Sequence, residues 1–293
     1  MPEKINSSNA LVAYLDLLGY SELVRKNPTD ALFYHDAIEQ MTSIVKEFFK
    51  VKNIEDTEMI RIMGPHIQIM DEHLSFNVLS DSFVIVFDQN GAREGKNYET
   101  TTPEAILESF LFFVSYLIQD GFCKTKMLFR GAIARGHYYQ QGFQTLEKSN
   151  FIFSGALCDA HDLAEKIADV PRVLIHPGVL EESFIFNPPG RFIDSSFHVS
   201  PFVKFMRDKD GLYFLNGYTS IFGDRQKAFD ILSKSASILR NGLESHKNDL
   251  KVKRKWIWFA NYHNEILERA IRVKYFVLED WQRLLLMVAI PKA

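Results

Sequence analysis

Apolar residues recur along this chain on two periods, and the changes of period mark its elements. From Ala10 to Leu15 runs a short apolar stretch closed by Asp16, which reads as a buried strand with a carboxylate at its carboxyl end. Gly19 follows and permits a tight turn. From Tyr20 to Arg25, and again from Thr29 to Lys50, the pattern is helical. Thr29 or Asp30 suits the N-cap, and Leu32, Phe33, Ile38, Met41, Ile44, Val45 and Phe48 supply the apolar stripe. Leu74 to Leu79 and Ser82 to Phe87 are β-rich runs parted by Ser80-Asp81, the pattern of a tight hairpin with Asp81 near its tip.

Gln89 to Thr101 is polar and contains glycine, as a loop does. Pro103 suits a helix start, where its missing N–H costs nothing, and Ala105 to Gln119 is a strongly apolar helix. Lys126 to Gly136 reads as a strand, Phe151 to Phe153 as a short strand, Gly155 to Ile167 as a helix and Pro171 to His176 as a further strand. The order predicts an α+β fold with a ferredoxin-like core, an antiparallel sheet with helices. Val199 to Phe205 and Gly211 to Asn216 form a last hairpin around Arg207-Asp-Lys-Asp-Gly211. From Asp224 onward the chain is helical, with long patterns from Arg225 to Glu244 and from Val252 to Arg272. This places a mixed α+β core at residues 10–219 and a helical C-terminal appendage at residues 220–293.

Composition narrows the class. The 293 residues are 46% apolar and 24% charged, as in a globular protein, and 25 of them are phenylalanine, which implies bulky packed interiors. A net charge of −3 and a pI near 6.3 argue against a dedicated nucleic-acid binder. Two cysteines, Cys123 and Cys158, build neither a disulfide framework nor a four-cysteine metal site. His66, His73 and His176 show no metal-ligand spacing. The polar start and the short apolar stretch from Phe110 to Ile118 give no reason to expect a signal peptide or a membrane span, so the expected compartment is the reducing cytoplasm. The charge is uneven: residues 1–219 hold 20 basic and 29 acidic side chains, a balance of −9, and residues 220–293 hold 14 and 8, a balance of +6.

Asp16 and Asp81 are the informative pair. If their strands are neighbours, both carboxylates reach one edge of the sheet despite their separation in sequence. Two carboxylates that close repel and desolvate each other, so they need a cation or a shared proton. Hard oxygen ligands suit Mg²⁺ or Mn²⁺. Leu17-Leu-Gly-Tyr20 adds backbone N–H groups at a helix start, which favours phosphate. The plainer alternative is that Asp16 caps the following helix and Asp81 makes the hairpin turn. Arg130 and Arg135, five apart on one strand, point to opposite faces, so one of them reaches a site there, with Arg130 favoured; the plain alternative is a surface or interface ion pair. The segment from Lys251 to His263 mixes basic and aromatic residues; its Trp258 and Tyr262, at i and i+4, read as a packing face with the lysines in solvent.

Four segments carry a family likeness by occurring in one order: Ala13-Tyr-Leu-Asp-Leu-Leu-Gly-Tyr20, Leu79-Ser-Asp-Ser-Phe-Val-Ile-Val-Phe87, Phe129-Arg-Gly-Ala-Ile-Ala-Arg-Gly136 and Phe153-Ser-Gly-Ala-Leu-Cys-Asp-Ala-His-Asp-Leu163. The series resembles the class III nucleotidyl cyclases, and among them most the bacterial pyrimidine (uridylate and cytidylate) cyclases of the Pycsar anti-phage systems. The resemblance covers residues 10–176 and implies a homodimer with active sites at the interface. It implies two Mn²⁺ or Mg²⁺ ions on Asp16, Asp81 and the Leu17 carbonyl. The substrate would be a nucleoside triphosphate, UTP ahead of CTP. Its product, a 3′,5′-cyclic monophosphate, would act as a second messenger in phage defence. Leu18, Gly19 and Tyr20 would meet the nucleotide.

Departures from the family pattern matter. Purine cyclases of this class carry a base-reading Lys four residues before the hairpin Asp; here that position is Asn77, whose amide could read a pyrimidine edge or serve as an ordinary strand polar group. The family's transition-state Asn and Arg fall on Cys158 and Asp162, neither of which donates to a phosphate as they do. Either an arginine elsewhere, Arg130 first, takes that part, or the chain is a degenerate, nucleotide-sensing cyclase-like module. A purine cyclase with an unusual base pocket is the third reading. Asp159 and His161 could approach the site across the dimer, or simply be polar groups on a helix surface.

Overall fold

Strand β1 (Lys4–Leu17) begins well before its apolar run, because backbone pairing and not hydrophobicity extends it. Its polar start pairs with the far end of β4, across a register shift between Ser7 and Ala10. The computed structural model describes residues 4–19, 31–50, 70, 73–90, 103–142, 150–186, 205–220 and 225–272. The expected helix from Tyr20 to Arg25, His66, most of the loop from Gln89 to Thr101 and the start of the last hairpin at Val199 lie outside these residues.

After β1 come helix α1 (Ala31–Lys50), strands β2 (Leu74–Leu79) and β3 (Ser82–Asp88), helix α2 (Pro103–Thr125) and strand β4 (Phe129–Gly142). Their sheet order is β2-β3-β1-β4, every neighbour antiparallel, with α1 and α2 as the two crossovers. That is the ferredoxin-like arrangement, and the protein is an α+β fold. Strand β5 (Asn150–Ser154) then pairs with the outer half of β4 and leads into α3 (Gly155–Lys166). Ser154 caps α3, its hydroxyl accepting from the Leu157 N–H at 3.0 Å. Strand β6 (Val173–Ile175) lies parallel to β4, so the sheet is mixed rather than purely antiparallel. Helix α4 (Pro177–Phe186), which the sequence pattern did not reveal, and the hairpin of β7 (Phe205–Arg207) and β8 (Tyr213–Leu215) complete this part.

The strand period of two sorts the side chains into two layers. Leu11, Leu15, Phe83, Phe87 and Phe129 share one face with α1 and α2; the Phe87 ring meets Phe110 of α2, and Gly121 of α2 lies directly over Met41 and Phe129. Val12, Tyr14 and Asp16 share the other face, where α3 packs through Ala156, Ala160 and Ala164. Methyl side chains every four residues let that helix lie close to the sheet.

Helices α5 (Arg225–Ser245) and α6 (Leu250–Arg272) form an antiparallel pair against α2. The Phe122 ring of α2 lies 4.8 Å from Phe259 of α6. Trp258 and Tyr262 stack at 5.7 Å, the packing face their spacing predicts. Residues on both sides of position 220 belong to one hydrophobic core, so the compositional boundary there is not a break in packing.

Candidate active site

Two local features bring Asp16 and Asp81 together. Asp16 stands opposite Ser82 in the β1–β3 pair, which sets the tip of the β2–β3 hairpin beside the end of β1. The Leu17 N–H then donates to the Asp81 carbonyl at 3.1 Å and ties the tip down. Ser80 closes the turn with a positive φ of 59°. Arg130 is opposite Asp16 in the β1–β4 pair, on the same face. Its Nε donates to Asp16 Oδ2 at 2.8 Å, and its Nη2 donates to Glu165 Oε1 of α3 at 2.5 Å. Arg135 faces the opposite side and donates to Asn9, as the strand period requires.

The electrostatics follow from burial. Asp16 is only 6% exposed, and desolvation pushes its carboxyl up from the ordinary value. The Arg130 hydrogen bond and charge pull it back, while the charges of Asp81 and Glu165 push it up again. Burial opposes the charge on Arg130 too, but Asp16 and Glu165 raise its pKa overall. Asp16 and Glu165 therefore share one guanidinium while the charge of Asp81 also acts on Asp16, leaving an unbalanced negative charge. Hard oxygens from Asp16, Asp81 and the Leu17 carbonyl, in that surplus of negative charge, fit a divalent ion of the Mg²⁺ or Mn²⁺ type.

A polar chain orients Asp16 from its other side. Ser82 Oγ donates to Asp16 Oδ1 over a long 3.4 Å, and Tyr14 Oη lies 2.8 Å from Ser82 Oγ. Burial raises the pKa of the Tyr14 phenol, which keeps it a neutral hydrogen-bonding group. His161 of α3 packs edge-on against Tyr14, with ring centroids 5.2 Å apart. The sequence reading missed Tyr14, Ser82 and Glu165. Alternation with Asp16 along β1 was the signal for Tyr14; Ser82 and Glu165 reach the site only through strand register and the packing of α3, which no local pattern marks.

Asn77 lies on the same face, in register with Val84 and Tyr14. Its Nδ2 donates to Ser75 Oγ at 3.0 Å and lies 3.4 Å from Gln140 Oε1, which also accepts from Tyr138 Oη at 2.8 Å. Since β3 and β1 separate β2 from β4, this contact means that the outer half of β4 turns back over the face. The expected phosphate donors are partly spent: the N–H groups of Leu17 and Leu18 go to the carbonyls of Asp81 and Leu128. Gly19 makes its turn with φ at 101°, and Tyr20 lies outside the described residues. Cys158, Asp159 and Asp162 are exposed on α3, and Asp162 pairs with Lys166 at 2.7 Å. His176 accepts from the Gly178 N–H at the start of α4.

By length and composition one described helical stretch, Ile106–Thr125 of α2, could cross a membrane, but 78% of it is buried inside the protein. No family model matches the chain. No curated protein matches it either. Among solved structures, the adenylyl cyclase CyaB from P. aeruginosa is similar at 12% identity and a TM-score of 0.45, over 73% of this chain and 95% of that one. The guanylyl cyclase domain of the RhoGC fusion protein from Blastocladiella emersonii aligns at 10% identity and a TM-score of 0.40, over 73% and 96%. The guanylate cyclase domain of RhGC from Catenaria anguillulae, solved with GTP, aligns at 10% and 0.37, over 72% and 97%. Identities this low leave the chemistry to the residues themselves.

Proposed function

We propose that this chain is a nucleotidyl cyclase that converts a pyrimidine nucleoside triphosphate, UTP ahead of CTP, to its 3′,5′-cyclic monophosphate and pyrophosphate. The observation that carries the reading is the convergence of Asp16, Asp81 and Arg130 at one sheet edge, from three segments far apart in sequence. In the reaction the ribose 3′-oxygen gives up its proton to water and bonds to the α-phosphorus, and the bond from that phosphorus to the pyrophosphate oxygen breaks. Asp16, Asp81 and the Leu17 carbonyl would hold two Mn²⁺ or Mg²⁺ ions, which supply Lewis acidity to the attacking and departing oxygens. Arg130 adds a fixed positive charge for the triphosphate, in the place that Cys158 and Asp162 leave without a phosphate donor. Asn77 would offer its amide, donor and acceptor together, to the base edge by exchanging its contacts with Ser75 and Gln140. Ser82 and Tyr14 keep Asp16 aimed at the site. The working form is a homodimer, and the product is a second messenger for phage defence; both rest on the family resemblance.

A second reading, a nucleotide-sensing module without turnover, is favoured by Cys158 and Asp162. The purine cyclase reading is the third. Incubating the purified protein with Mn²⁺ and each ribonucleoside triphosphate in turn separates them. A cyclic pyrimidine supports the proposal, a cyclic purine the third reading, and binding without product the second. Asp81→Asn is expected to abolish synthesis while leaving the circular dichroism spectrum intact; unchanged synthesis would remove Asp81 from the metal set.

A further inference from the structure

Arg130 is held from two elements at once. On β1, Asp16 Oδ2 accepts from its Nε at 2.8 Å; on α3, Glu165 Oε1 accepts from its Nη2 at 2.5 Å. Asp16 is buried, whereas Glu165 sits at the rim where α3 crosses the sheet. The two carboxylates thus draw one guanidinium in two directions. A guanidinium presents five N–H donors in a rigid fork and always carries its charge. It competes for Asp16 with any other cation that Asp16 serves.

We propose that Glu165 is a positioning residue: it anchors Arg130 at the rim, so that Asp16 can share its charge with a divalent cation while the arginine stays over the site. The proposal rests on the reading of Asp16 and Asp81 as metal ligands. With Nη2 fixed on Glu165, the arginine head pivots about that bond and turns its remaining donors away from Asp16. Without Glu165, Asp16 is the one carboxylate left of the two that Arg130 touches, and the whole positive charge falls on it. Helix α3 then contributes an acid that holds the arginine of β4, in place of phosphate donors of its own.

The test is Mn²⁺ binding to the full chain without nucleotide, followed by electron paramagnetic resonance of free Mn²⁺. The proteins are the wild type, Glu165→Gln, Arg130→Met, the double variant and Asp81→Asn, each checked for fold by circular dichroism. Glu165→Gln is expected to weaken Mn²⁺ binding roughly three- to fivefold, the size of one partly exposed ion pair. Arg130→Met is expected to bind more tightly than the wild type. In the Arg130→Met background, Glu165→Gln should change the affinity by less than about twofold, because its effect passes through the arginine. Equal weakening in both backgrounds would make Glu165 a distant charge and overturn the proposal, as would no effect of Glu165→Gln alone. A wild type with no Mn²⁺ site sensitive to Asp81→Asn would instead sink the metal assignment, and this inference with it.

Discussion

Asp16 and His263 are both buried ionisable groups, and their surroundings treat them differently. Asp16 keeps a cationic partner in Arg130, so its carboxylate is compensated as well as desolvated. Among the described residues, His263 of α6 meets Tyr218, whose Oη lies 2.9 Å from Nδ1, and its buried Nε2 has no hydrogen-bond partner. Burial pushes this imidazole from the ordinary 6.5 down to about 3. A ring whose folded pKa is depressed binds its proton more readily in the unfolded chain. The stability it contributes is complete above about pH 6.5 and is lost as the pH falls towards 3. One such proton gives a slope of about 1.4 kcal/mol per pH unit in that window. Urea unfolding at pH 7, 6 and 5 should show this acid limb, and His263→Asn should flatten it. An unchanged slope in the variant would place the acid sensitivity elsewhere.

Among the elements, the α5–α6 pair depends on one close approach. A Cβ on Gly242 of α5 would lie 2.3 to 2.5 Å from the indole ring atoms of Trp256 on α6, closer than packed carbons tolerate. Asp249 starts α6 by accepting the Val252 N–H at 3.1 Å, which fixes the turn between the helices. In an exposed helix Gly→Ala gains up to about 1 kcal/mol from propensity. Here overpacking against a large ring costs about 1–3 kcal/mol and prevails. Gly242→Ala should therefore lower the melting temperature; a rise would mean that Trp256 swings aside freely. The helices themselves were legible in their periodicity, as was the Trp258–Tyr262 face. Gly242 was not, because nothing local in the sequence says which ring of the next helix it meets.

For the whole molecule, the split of charge between the first 219 residues and the rest suggests a basic tail on an acidic core. The tail does pack on its own core, and Arg254 of α6 pairs with Asp169, but these side chains are 68% and 61% exposed. Such a pair is worth about 0–1 kcal/mol. The stronger tie is buried: Arg172, its side chain 3% exposed, holds Asp208 at 2.7 Å and Asp210 at 2.5 Å in the β7–β8 turn. Trp258 Nε1 donates to the same Asp208 at 3.0 Å, joining α6 to that turn. Removing Arg172 leaves Asp208 and Asp210, 18% and 43% exposed, without their partner, a loss of about 1–3 kcal/mol. Thermal unfolding should therefore show Arg172→Met strongly destabilised and Arg254→Ala nearly unchanged. The reverse order would make surface charge the attachment of the tail.

The order of elements, the ferredoxin-like core and the candidacy of Asp16, Asp81 and Arg130 came from the sequence alone, because strand and helix periods and turn residues act over a few positions. Tertiary structure decided what those signals leave open. Pairing lengthened β1 through its polar start and made β6 parallel to β4. It spent the Leu17 and Leu18 N–H groups on carbonyls rather than leaving them for phosphate. It also brought Glu165 and Ser82 to the carboxylates. Register and packing between distant segments set those contacts, and no local pattern encodes them. The net charge of the chain says that cations suit it; only the fold says that Asp16 and Glu165 share one arginine.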